Sequence, residues 1–168
     1  MSYQRNQIEE ALATAFEIQP ERRGAFRAQL QYLRRLGIPS VDNPGTGYRV
    51  EYKIQHVVQL IVALSLQTAG FEPMKAAETL RKILDDHFMG LLVQTTFTGS
   101  TVVDFWIHVI PGLEGPRIKR FGGSKRDHLL ADVEKAAQED PGFIFINLSR
   151  HARTVMRVLK ETEPATRG

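Results

Sequence analysis

Apolar side chains recur every three to four positions at the start of the chain. Ile8, Ala11, Leu12, Ala15 and Phe16 fall on one side of a helix, which predicts a first helix over about Asn6–Ile18. Pro20 suits the first turn of a second helix. That helix would turn Phe26, Leu30 and Leu33 inward and stop at Gly37 and Pro39. The short break at Ile18–Pro20 makes the pair a candidate helix-turn-helix. Turn residues follow at Asn43-Pro44-Gly45 and Thr46-Gly47, and Tyr48–Tyr52 alternates as a short strand does. Val57, Val58, Leu60, Ile61, Ala63 and Leu64 leave little polar surface on the next segment. A third helix over Ile54–Thr68, closed by Gly70, should therefore be a central core element. Pro73 opens a fourth helix, which runs through Ala76, Ala77, Leu80, Ile83 and Leu84 to about Phe88.

After Phe88 the period changes. Met89–Phe97 and Thr101–Ile110 read as strands, with Gly99-Ser100 as a two-residue hairpin turn. The Pro- and Gly-rich basic stretch Pro111–Lys125 reads as a connection. A helix over Asp127–Gln138 and a buried-type strand over Phe143–Asn147 follow. Ser149 is placed to cap a last helix, whose Ala152, Val155, Met156 and Leu159 form one apolar stripe. The expected class is α+β. Residues 1–88 would make a winged helix-turn-helix of about four helices and a short wing, and residues 89–168 a small α/β segment of about three strands and two helices.

Composition narrows the function classes. Of 168 residues, 42% are hydrophobic and 24% charged, the balance of a globular chain. No cysteine is present, which removes disulfides, thiolate metal sites and cysteine nucleophiles together. No apolar run approaches the roughly 18 residues of a membrane span. The N-terminal "MSYQRNQIEEALA" lacks the apolar core of a signal peptide, so a cytoplasmic location is expected. The net charge of +3 permits nucleic-acid binding without requiring it. Its distribution says more. Between Gln19 and Lys53 stand Arg22, Arg23, Arg27, Arg34, Arg35, Arg49 and Lys53, opposed only by Glu21, Asp42 and Glu51.

The pieces "RRLGIP" (Arg34–Pro39), "GYRVEY" (Gly47–Tyr52), "HVVQLIVALSLQTAGF" (His56–Phe71) and "EPMKAAETL" (Glu72–Leu80) occur in a telling order. In order and spacing, roughly residues 7–84 resemble the winged helix-turn-helix of MerR-like DNA-binding regulators. The resemblance implies a bacterial-type transcription regulator acting on double-stranded DNA as a homodimer. It also implies that the second helix reads bases through Arg22, Arg23, Arg27 and Gln31. Arg34, and Tyr48, Arg49 and Lys53 from the wing, would hold the phosphates. "GYRVEY" carries one residue more between Arg49 and Tyr52 than the family pattern, and Glu17 stands where a glycine would ease the first turn. The long dimerising helix of the family is replaced by the β-containing half, and cysteine-based metal sensing is excluded. A plainer account stays open: the basic cluster is a solvated face, and Arg34 and Arg35 complement the C-terminal end of their helix dipole.

Other candidates are fewer. In "TVVDFWIHVI", alternation sets Asp104, Trp106 and His108 in a row opposite an apolar face of Val103, Phe105, Ile107 and Val109. Such a row could orient a ligand or form an interface with Trp106 as its anchor, or it could be the covered side of a sheet. A ligand- or protein-binding module built on it is the alternative to DNA binding. A DNA-bending accessory protein of a mobile element is another. Asp85, Asp86 and His87 diverge around a helix and are poor metal ligands together. Gly45–Gly47 lacks the third glycine of a dinucleotide fingerprint. Arg117, Lys119, Arg120, Lys125 and Arg126 could make a second phosphate-contacting patch. Ser149 and His151 read as a cap and a surface histidine rather than a nucleophile and its base. The expectation is a non-enzyme without cofactor or metal, whose effector, if it has one, is not legible.

Overall fold

The computed structural model describes residues 2–41, 51–83, 103–110, 117–125, 128–139 and 142–162. Six α-helices and three strands stand among them. They are α1 (Arg5–Ala15), α2 (Arg23–Arg35), α3 (Ile54–Thr68), α4 (Pro73–Ile83), β1 (Val103–Ile110), β2 (Arg117–Lys125), α5 (Leu129–Glu139), β3 (Ile144–Asn147) and α6 (Leu148–Glu161). A 3-10 turn at Pro20–Arg22 leads into α2. The class is α+β and mostly helical.

α3 is the hub. Every residue from Leu60 to Leu66 is buried, Ser65 included, so the helix is enclosed on all sides. α4 packs on it through the face that holds Ala76, Ala77 and Leu80, and α2 is joined to it by Gln29 Nε2 donating to Gln67 Oε1 at 2.8 Å. α6 lies along α1 and also touches α3 and β1. Its amphipathic stripe Ala152, Val155 and Leu159 enters the same hydrophobic cluster as Leu12, Leu33 and Ile61. Each fully buried leucine there contributes on the order of 2 kcal/mol. At the far end Gln7 Nε2 donates to the Thr162 carbonyl, 3.3 Å away. The division expected after residue 88 falls within residues 84–102, outside the described ones.

The sheet is antiparallel, in the order β2-β1-β3. The partner of β1 corrects the sequence reading, because the expected connection Pro111–Lys125 contains a strand, Arg117–Lys125. Its glycines, which argue for a loop, stand across from large residues: Gly122 opposite Trp106 and Gly123 opposite Phe105. A glycine beside an aromatic leaves room for the ring, so a strand accepts it there. The strand expected at Met89–Phe97 and its turn at Gly99-Ser100 lie outside the described residues, as do Leu84–Phe88.

Helix ends differ in small ways with clear causes. α6 begins at Leu148, because Asn147 is its cap: the Asn147 side chain accepts from the Arg150 N–H at 3.1 Å. Ser149, the expected cap, is buried inside the first turn. α1 stops at Ala15 rather than Ile18. The expected wing strand falls mostly on residues 42–50, outside the described ones, but its last residue is placed. Tyr52 exchanges both backbone hydrogen bonds with Tyr3 (2.8 and 3.1 Å), and its ring is buried, edge-on to His56.

Candidate nucleic-acid interface

The turn between α1 and α2 is built by backbone geometry. Ile18 N–H donates to the Ala13 carbonyl at 2.8 Å and Glu17 N–H to Thr14 at 3.2 Å, the paired bonds of a Schellman cap. Such a cap needs a left-handed residue, and Glu17 takes it with φ 54°. α2 and α3 end on the same motif, but with Gly37 (φ 78°) and Gly70 (φ 91°) in that place. The turn thus has the geometry a glycine would favour, with a glutamate in it.

α6 holds this turn from outside. The His151 ring stacks on Phe16 with centroids 4.3 Å apart and planes 9° from parallel. Its Nδ1 lies 3.1 Å from the Ala15 carbonyl. A carbonyl only accepts, so Nδ1 carries the proton and donates. Burial pushes the His151 pKa below its ordinary value, against the pull of that hydrogen bond, and keeps the ring neutral at pH 7. Arg150 reaches Glu17 at 3.6 Å across solvent-exposed ground.

On α2, Phe26, Leu30 and Leu33 face the core as expected. Arg23, Arg27 and Arg34 are spaced to share one flank. For the first two, that flank meets α1: Arg23 pairs with Glu10, and Arg27 Nε lies 3.6 Å from Glu9 Oε2. Arg5 also binds Glu9, at 2.5 Å. The acids that temper these arginines therefore come from the preceding helix, outside the stretch from Gln19 to Lys53. Arg23 retains 31% of its side-chain exposure and Arg27 66%, so Arg27 is the freer of the two to meet a ligand. Surface pairs of this kind contribute about 0–1 kcal/mol and exchange readily. Arg22, Gly24, Ala25, Ala28, Gln31, Tyr32 and Arg35 are exposed along the outer side of α2.

At the C-terminal end of α2 the arginines gather. A cleft of about 450 Å³ is lined by Arg5, Gln31, Arg34, Arg35, Gly37, Pro39, Ser40 and Val41. Arg5 belongs to no basic run, and only the crossing of α1 over α2 brings it there. Lys53 precedes α3, exposed, with its backbone N–H donating to His56 Nδ1 at 3.0 Å. Tyr48 and Arg49 lie outside the described residues.

The Asp104, Trp106 and His108 row is interior, with relative exposures of 3%, 7% and 0%. Asp104 Oδ1 accepts from Arg153 at 2.5 Å, Trp106 stacks on Phe145 (5.4 Å), and His108 meets Phe143 edge-on (5.0 Å). The row is filled by its own chain, which leaves no open face for a partner. Among the described residues no three of His, Asp and Glu gather as a metal site, and no helix is long and apolar enough to cross a membrane. No protein-family model matches the chain, and neither does any curated protein sequence.

Proposed function

We propose that this protein binds double-stranded DNA sequence-specifically, as a homodimeric transcription regulator with a winged helix-turn-helix of the MerR-like kind. The observation that carries the reading is the pairing of a tight left-handed turn at Glu17 with a second helix that is open on its outer side, carries Arg22 and Arg35 at its two ends and exposes Arg27 on its flank. A helix of this width fits the major groove, where side chains reach base edges. Arg22, Arg27 and Gln31 are the base-reading candidates, and Arg23 supports them from its pair with Glu10. Arg34, with Lys53, Tyr48 and Arg49 of the wing, holds the backbone, which fixes register without reading sequence. In a dimer, two such helices would lie about one turn of DNA apart on a palindromic site. No cofactor enters this reading. The rival module built on Asp104, Trp106 and His108 requires an accessible face, and that row is buried.

Fluorescence anisotropy against random-sequence duplex, over a salt series, tests the reading with wild type beside Arg27→Glu/Arg49→Glu. Neutralising about six phosphates gives an affinity that falls by roughly three decades between ~50 and ~200 mM salt, and the variant loses it. A folded wild-type protein that ignores duplex DNA at low salt would end the proposal. Sedimentation with a palindromic duplex tests the dimer: a single protomer per site at saturation removes that part.

A further inference from the structure

We infer that the cleft at the C-terminal end of α2 is a seat for consecutive phosphodiesters of one DNA strand, gripped by Arg5, Arg34 and Arg35. The inference rests on the DNA-binding reading and adds a site to it. Among the described residues, the cleft walls hold three guanidiniums and no carboxylate. Among the described residues, Arg34 and Arg35 have no acidic partner, and Glu9, the partner of Arg5, also faces Arg27.

The plain explanation for arginines at a helix C-terminus is that they satisfy its last carbonyls and oppose its dipole. Here most of those carbonyls are taken. Tyr32, Leu33 and Arg34 accept from the N–H groups of Leu36, Ile38 and Gly37, and Leu36 accepts from Arg81. Arg34 and Arg35 are left over from capping. Like charges crowded in one cleft repel until an anion enters, and the planar fork of an arginine matches phosphate oxygens two at a time. Gln31 and Ser40 add neutral donors on the wall, and Ser40 is fixed by its N–H bond to Gln59 Oε1 at 2.8 Å.

Position selects the ligand. Arg27, Gln31 and Arg35 follow one another at four-residue steps along α2, each about 6 Å along the axis. With the first turns in a groove about 12 Å wide, the far end of the helix comes up against the phosphate wall. A duplex backbone fits that place better than a free small anion, which would draw nothing from the rest of α2.

The test measures binding to a duplex of about 20 base pairs by anisotropy over a salt series, for wild type, Arg5→Gln/Arg34→Gln/Arg35→Gln and Arg34→Lys/Arg35→Lys. The triple Gln variant should bind on the order of 100-fold more weakly at ~0.1 M salt, with a slope of log affinity against log salt shallower by about two to three. The loss should be equal for every sequence, since phosphate contacts carry no base information. The Lys variant should recover the slope and only part of the affinity. Single changes Arg34→Gln and Arg35→Gln should each reduce the slope by about one, and they decide the matter if the triple variant does not fold. Wild type that binds while all the Gln variants match it in affinity and slope overturns the cleft and leaves the DNA reading standing. Wild type that does not bind overturns both.

Discussion

Arg23, Arg27 and Arg34 on α2 and Asp104, Trp106 and His108 on β1 are both polar rows set by the period of their element, yet they have opposite fates. The first runs along the flank of α2, where Glu9 and Glu10 counter Arg27 and Arg23 but water still reaches the row. The second is enclosed by Phe143, Phe145 and Arg153. Periodicity decides which side chains share a face. Whether that face is covered depends on residues about forty positions away, and no local pattern contains them. A row with a histidine and a carboxylate invites a functional reading, but here the exposed row is the one able to meet a partner.

The sharpest way to break the contrast is Trp106→Ala. A buried indole exchanged for a methyl should cost about 3–5 kcal/mol, read by urea unfolding followed by circular dichroism. A loss under about 1 kcal/mol would return the row to the surface. Asp104→Ala comes next, at about 2 kcal/mol. It removes the partner of Arg153, and because that arginine keeps 37% of its side-chain exposure, water relieves part of the charge left behind. Glu17→Gly sharpens the comparison from the other side, since it changes an exposed residue that matters through its backbone. A glycine at φ 54° should stabilise by about 1 kcal/mol, and the exposed pair with Arg150 that it deletes contributes almost nothing. The smallest effect belongs to Arg27→Gln, which should shift the unfolding midpoint by no more than about 0.5 kcal/mol while duplex binding weakens.

Much of the helical framework was legible from local signals. α3 spans Ile54–Thr68 as read, because its apolar run is dense and Gly70 ends it. α4 starts at Pro73, where a proline can open a helix. Legibility failed where one residue type does the work of another. A glutamate in a left-handed cap gives no stop signal of its own, and although the resemblance put a glycine at Glu17, the apolar period carried α1 three residues too far. Gly122 and Gly123 in β2 argue for a loop until Trp106 and Phe105 are known to stand opposite. The cleft at the end of α2 was half visible. Arg34 and Arg35 lie in one basic run, but Arg5 joins them only through tertiary packing.

The packing of α6 on α1 also bears on biosynthesis. α1 leaves the ribosome well before the surface that covers it, from Leu148 to Leu159, has been made. Until then Leu12 and its neighbours lack the cover of this helix, and a chain cut short before residue 148 would never gain it. Such a fragment would carry every arginine of α2 on a helix pair lacking its cover, which makes it a target for chaperones and proteases. Synthesis through α6 is thereby a condition for the turn at Glu17 to be clamped by His151.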